Sequence, residues 1–140
     1  TEIGHIKIGS SHTGRLCGCG ERGCIEAYIS GRYLGELYDE MIKDDQAYRI
    51  QLEKELGGPV RDIVTAWHIE QYHQAGVQYA KVLWQDIAQR LAAVLAQVVV
   101  LFDPERLLLG GGVLSRAPTL LACTISHLKD LLPQAYRRAL

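Results

Sequence analysis

Leu101-Phe102-Asp103-Pro104-Glu105-Arg106-Leu107-Leu108-Leu109-Gly110-Gly111-Gly112 carries a helix stop, an apolar run and a glycine turn in quick succession. Proline disfavours α geometry in the residue before it, so a helix arriving at Phe102 ends at Asp103. Leu107–Leu109 is bounded by charge on one side and glycine on the other, which predicts a short buried strand. The triple glycine predicts a strand-to-helix turn whose backbone N–H groups can approach a nucleotide closely. A plain tight turn explains the same glycines, and neither Gly-Lys-Ser/Thr nor Gly-x-Gly-x-x-Gly is present. Upstream, Val77, Ala80, Leu83, Ile87, Leu91, Val94, Val98 and Leu101 recur at threes and fours, the pattern of a long amphipathic helix. Downstream, Pro118 opens a helix carrying Leu121, Ile125, Leu128 and Leu132. Helix, strand, glycine loop and helix together predict α/β organisation.

Toward the N-terminus, alternating Ile6 and Ile8 predict a short strand, and the Gly/Ser/His/Thr-rich stretch Gly9–Gly14 an exposed loop. Ile25, Ile29, Tyr33 and Leu37 are spaced by four and predict helix. Ser30-Gly31 divides it in two, with Ser30 as N-cap of the second part. Residues 39–59 are polar and mixed and yield no clear element. Pro59 suits the first turn of a helix over Val60–Ile69.

The chain has 140 residues, enough for one domain with its own core. Its 48% hydrophobic and 22% charged residues are those of a soluble globular protein, and the net charge of −1 excludes a basic nucleic-acid field. Leu91–Phe102, the longest apolar stretch, is interrupted by Gln97 and is too short to span a bilayer. No basic and apolar leader opens the sequence, and it does not begin with Met. A cytoplasmic, excised or processed segment is the expectation.

Cys17, Cys19 and Cys24 crowd together, whereas Cys123 stands alone in an apolar helical pattern. A disulfide scaffold spreads its cysteines to close loops; this crowding predicts a metal in a reducing compartment. Zinc takes four tetrahedral ligands, and His5 with Cys17, Cys19 and Cys24 forms a Cys₃His set. His12 is the rival fourth ligand. Gly18, Gly20 and Gly23 allow the backbone to fold round the ion. Three thiolates against Zn²⁺ leave roughly one negative charge, which Arg15 or Arg22 could offset. Glu2 and Glu26 lie beside the knot. Carboxylates held by a rigid staple suit sugar hydroxyls, while Glu26 equally suits the first turn of a helix for its macrodipole.

Glu2-Ile3-Gly4-His5, then Cys17-Gly18-Cys19-Gly20-Glu21-Arg22-Gly23-Cys24-Ile25-Glu26, then Ser30-Gly31, resembles the signature of the ROK family (repressors, open reading frames, kinases). Leu101–Glu105 running into Leu109-Gly110-Gly111-Gly112-Val113 is similar to that family's second nucleotide-side motif. The resemblance implies an actin-like, ribonuclease-H-like fold of two lobes closing on sugar and ATP with Mg²⁺. Residues 1–140 would be the C-terminal lobe, with a zinc- and sugar-binding segment at 1–30 and a helical, nucleotide-side segment at 60–140. On that basis His5, Cys17, Cys19 and Cys24 hold structural zinc. Glu2, His5 and Glu26 line the sugar pocket, and Gly110, Gly111 and Gly112 face the adenosine. The gap from His5 to Cys17 exceeds the usual family spacing, so its loop must bulge.

The family's Asp-x-Gly-Gly-Thr phosphate loop, its Asn-Asp catalytic pair and its late Gly-Asp-x-x-Gly segment are absent from these residues. Asp39, Asp44, Asp45, Asp62, Asp86, Asp103 and Asp130 match none of them, so no catalytic residue is assigned. The expected activity is phosphoryl transfer to a hexose or N-acetylhexosamine by a longer protein, with this segment inactive alone. Its partners would be sugar, ATP and the N-terminal lobe, with no membrane or nucleic acid, and the apolar helices suggest either a homodimer or a lobe interface. The alternative is the sugar-sensing effector domain of a ROK transcriptional repressor, distinguished by a DNA-binding helix-turn-helix upstream.

Overall fold

A computed structural model describes residues 2–136. Seven α-helices follow one another among the described residues: α1 (Glu26–Ile29), α2 (Leu34–Met41), α3 (Gln46–Leu56), α4 (Val60–Ile63), α5 (Ala66–Gln74), α6 (Gln78–Phe102) and α7 (Pro118–Leu131). Short 3₁₀ turns stand at Ile3–His5 and Leu114–Arg116. No strand forms among the described residues; two isolated antiparallel bridges, Lys7↔Cys24 and Leu16↔Arg22, are the extended pairings. The expected α/β organisation is therefore helical in this chain. The Leu107–Leu109 run shows why: a strand needs an adjacent partner, and none lies beside it. Leu108 is 92% exposed, while Leu107 and Leu109 pack against the ends of α6 and α7.

Local chemistry explains most boundaries. Asp45 caps α3 by accepting from the Tyr48 N–H at 3.1 Å, and Gly57 ends it at φ +74°. The helix expected over Val60–Ile69 splits at Val64 and Thr65, both extended. Thr65 then caps α5 reciprocally, its own N–H meeting His68 Nδ1 at 3.2 Å. Ser30 is not the N-cap of α2. It closes α1 with extended geometry, and α2 starts at Leu34, directly after the turn at 31–33, with Tyr33 at its N-cap. Asp103 ends α6 in the left-handed region (φ +42°), where Pro104 prevents continuation.

The core gathers on Trp84 of α6, which is fully buried with Leu34, Tyr38, Ile69, Ala80 and Ile87. A second cluster joins Ala92 and Leu95 of α6 to Leu128 and Leu132 beyond. α7 turns Leu120, Thr124 and Leu128 inward, so the expected Leu121 and Ile125 sit half-buried at its flank. At 25 residues α6 is long and apolar enough to cross a membrane, contrary to the shorter apolar stretch read from sequence. Its apolar face is instead packed against α2, α5 and α7. The packing stops short of its end, leaving Val100, Leu101 and Phe102 exposed.

Candidate functional site

The cysteine loop is a small knot of backbone hydrogen bonds. Ile8 and Gly9 N–H groups both reach the Gly23 carbonyl, at 2.8 and 3.1 Å, and the Gly23 N–H returns to the Arg15 carbonyl at 3.0 Å. Cys17 N–H bonds the Glu21 carbonyl and Gly20 N–H the Cys17 carbonyl, folding the two halves of the motif together. The long His5-to-Cys17 gap is taken up by a turn in which the Ser10 hydroxyl accepts from His12 and Thr13 N–H groups. Gly23 has φ +80°, and an added Cβ would lie 2.5 Å from the Gly9 carbonyl oxygen, so glycine is required there. Tyr28 fastens this knot to the helices: its hydroxyl accepts from Arg15 N–H at 3.0 Å, and the Arg90 guanidinium of α6 lies 4.6 Å from its ring centroid.

These constraints bring His5, Cys17, Cys19 and Cys24 together, with one ligand atom from each within 4.8 Å of all the others. His12 lies outside the cluster, which leaves His5 as its imidazole. His5 Nδ1 stands 3.8 Å from Cys17 Sγ, and Cys19 Sγ 3.8 Å from Cys24 Sγ. A tetrahedral zinc with Zn–S bonds of about 2.3 Å sets its sulfurs about 3.8 Å apart, whereas a disulfide needs about 2.05 Å. All four cysteines are free. The donor set and its spacing therefore fit a tetrahedral metal ion.

The surroundings orient the ring. His5 Nε2 lies 2.9 Å from Glu2 Oε2, leaving Nδ1 to face the sulfurs. A carboxylate on the outer nitrogen is the usual way a histidine ligand is held. Glu26 Oε2 lies 3.6 Å from both His5 Nδ1 and Cys17 Sγ. The thiols are unequal: a backbone N–H at Cys19 pulls Cys17 down, but burial and the neighbouring sulfurs outweigh it and push Cys17 up to about 11. Cys19, exposed and bonded by the Glu21 backbone N–H, is held below the ordinary thiol value. A metal cation is what would let such a crowded set ionise together.

Neither arginine expected to balance the thiolates does so. Arg15 pairs with Glu36 and Glu40 of α2, and Arg22 Nη1 bonds the Gly14 carbonyl at 3.0 Å. The cation at the sulfurs is Lys7, whose Nζ donates to Cys24 Sγ at 3.4 Å. Only the bridge register, invisible in a single sequence, sets Lys7 opposite Cys24.

Beside the knot lies a cavity of about 370 Å³. It is lined by the polar Glu26 and Ser30, by the apolar Ile29, Ile87 and Leu91, and by Gly110, Gly111 and Gly112. Glu26 and the triple glycine thus share one space, whereas the expected pocket residues Glu2 and His5 pair with each other and are not among the residues lining it. The glycines do not follow a strand; they lead into the 3₁₀ turn at Leu114–Arg116, with Ser115 N–H bonding the Gly111 carbonyl at 3.0 Å. Gly111 has φ +117°, and a Cβ at any of the three would meet open space. Asp39 pairs with Arg49, Asp45 caps α3 and Asp86 pairs with Arg90, so these carboxylates serve the scaffold.

The sequence model of the ROK family matches residues 1–139. A glucokinase of Streptomyces coelicolor is 34% identical over 112 residues, covering 80% of this chain and 34% of that protein. An N-acetyl-D-glucosamine kinase of Pectobacterium carotovorum is 32% identical over 120 residues, with the same coverages. The chain therefore spans about a third of the length of these curated relatives. Among solved structures, the ROK family glucokinase of Streptomyces griseus, in complex with glucose and AMPPNP, superposes with a TM-score of 0.77 at 30% identity, over 94% of this chain and 41% of that one. A ROK family transcriptional regulator, a homologue of the E. coli MLC protein, gives 0.69 at 25% identity, over 99% of this chain and 32% of that one. On the match across nearly its whole length, this chain belongs to the ROK family.

Proposed function

We propose that this chain is the sugar-recognising, nucleotide-facing part of an ATP-dependent kinase acting on a hexose or N-acetylhexosamine. The observation that carries the reading is the position of Glu26. Its carboxylate lies 3.6 Å from two members of the metal cluster, and Glu26 lines the same cavity as Gly110, Gly111 and Gly112. A carboxylate on a stapled loop can accept charge-assisted hydrogen bonds from sugar hydroxyls with little ordering cost.

In this reading His5, Cys17, Cys19 and Cys24 hold a structural zinc, which stabilises the loop by folding it round the ion. Glu26 accepts from a sugar hydroxyl at the cavity face, while Glu2 and His5 complete the pocket from the metal side. Gly110, Gly111 and Gly112 leave the nucleotide's adenosine free of side-chain obstruction. ATP with Mg²⁺ supplies the phosphoryl group, and the catalytic base comes from a lobe outside these residues. The exposed Val100, Leu101, Phe102 and Leu108 support a contact with that lobe or with a second copy. Such a kinase would work in the cytoplasm.

The similarity to a transcriptional regulator over 99% of the chain supports a second reading, a sugar-sensing effector domain. An ADP-release assay on the full-length protein, with glucose and N-acetylglucosamine, separates the two. Sugar-dependent ADP release is expected; sugar binding with no ADP release would favour the sensor.

A further inference from the structure

We propose that Lys7 is a positioning residue of the metal centre, its ammonium donating to the Cys24 sulfur and offsetting the centre's surplus negative charge. This rests on the zinc reading of the Cys₃His cluster. Three thiolates and a neutral imidazole on Zn²⁺ carry roughly one negative charge, which a half-buried site must balance. Arg15 and Arg22 are engaged elsewhere. Lys7 Nζ stands 3.4 Å from Cys24 Sγ and is anchored by the Arg22 carbonyl at 2.8 Å.

The placement is built into the backbone. Lys7 and Cys24 are paired by the isolated antiparallel bridge, and the Ile25 N–H bonds the Ile6 carbonyl at 2.9 Å beside it. Residues directly opposite in such a pair project their side chains to the same face. The lysine therefore reaches the sulfur because of register, not by a chance rotamer. Cys24 is 1% exposed, so water offers its sulfur little competing solvation. Glu21 Oε2, 3.4 Å from the same Nζ, competes for the ammonium from the solvent side.

The chemistry differs from a simple strut. A hydrogen bond from an ammonium lowers the energy of the sulfur lone pairs more than a neutral donor at the same place does, and it alone brings a positive charge to the centre. Lys7→Gln keeps a donor for the Arg22 carbonyl and removes the charge. Lys7→Arg keeps the charge.

The test is zinc affinity by chelator competition in the full-length protein, together with the thiolate-to-metal absorption of its Co²⁺ form. Lys7→Gln is expected to lower zinc affinity by about ten- to a hundredfold and move the charge-transfer band to longer wavelength. Lys7→Arg should restore both. Glu21→Gln, which frees the ammonium, should tighten zinc binding. An unshifted band and unchanged affinity in Lys7→Gln, or zinc no tighter in Glu21→Gln, overturns the proposal. If Lys7→Gln fails to fold, the Glu21→Gln arm decides. A native protein that takes up no zinc at all contradicts the metal reading instead.

Discussion

Glu70 closes on Thr119, accepting from its backbone N–H at 3.2 Å and from its hydroxyl as well. Glu70 is 2% exposed, and it also takes Trp84 Nε1–H at 2.9 Å and Gln74 Nε2–H at 3.1 Å. A carboxylate from α5 thereby caps the first turn of α7 and satisfies the largest core side chain in the same stroke. Burial alone would raise its pKa, but these donors outweigh burial and hold it below the ordinary glutamate value.

Glu70→Ala should therefore cost about 3 kcal/mol, because Trp84 and Thr119 donors are left buried without an acceptor. Gln74→Ala, at the exposed end of the same network, should cost less than about 1 kcal/mol. Denaturant melts of the three proteins check this. The sign with pH follows from the lowered value: the contribution is complete above the unfolded-state value of about 4.3 and is lost as pH falls through the lower folded-state value. The gap between wild type and Glu70→Gln should accordingly shrink only in strong acid. A gap that widens on acidification would contradict the carboxylate assignment.

Two glycines of the cysteine loop separate backbone strain from close packing. Gly20 has φ +88° with nothing near a would-be Cβ, whereas Gly23 has φ +80° and meets the Gly9 and Ser10 carbonyls. Gly20→Ala should cost about 1–2 kcal/mol from left-handed strain alone. Gly23→Ala adds a backbone collision across the Ile8–Gly23 hydrogen bonds and should also weaken metal retention. Melting curves and metal content of both variants measure the difference. Equal metal retention in the two would mean that the Gly9–Gly23 approach does not position the ligands.

What could be read from sequence was what depends on near neighbours in the chain. The crowding of Cys17, Cys19 and Cys24, the course of α6 and its stop at Asp103-Pro104 are local; the structure gathers the three sulfurs beside His5 and ends α6 at Phe102, while Leu101 of the expected apolar face is 75% exposed. α3 was missed because it buries only Leu52, so its sole signals are Asp45 at one end and Gly57 at the other. Leu107–Leu109 was read as a strand because its apolar run is right for one. Pairing, however, is non-local, and the described residues provide no partner. Lys7 escaped notice for the same reason: its role depends on a bridge across the loop. Arg15 and Arg22 stand as close to the cysteines in sequence as Lys7 does to His5, yet they pair with Glu36 and with the Gly14 carbonyl. Glu26 lay between two readings, sugar ligand and helix-dipole residue, and the structure adds a third neighbour in the metal cluster.

Sugar titration of the full-length protein, wild type against Glu26→Gln, with metal content measured in each, bears most directly on the reading of this chain as a kinase's sugar site. Gln keeps the shape and removes the charge. A lost hydrogen bond to a charged group is worth about 1.5–3 kcal/mol. The expected result is glucose or N-acetylglucosamine affinity lower by about ten- to a hundredfold, with zinc content and melting temperature unchanged. Unchanged sugar affinity, with metal lost or the melting temperature lowered, would return Glu26 to the metal knot and the helix end and contradict the account.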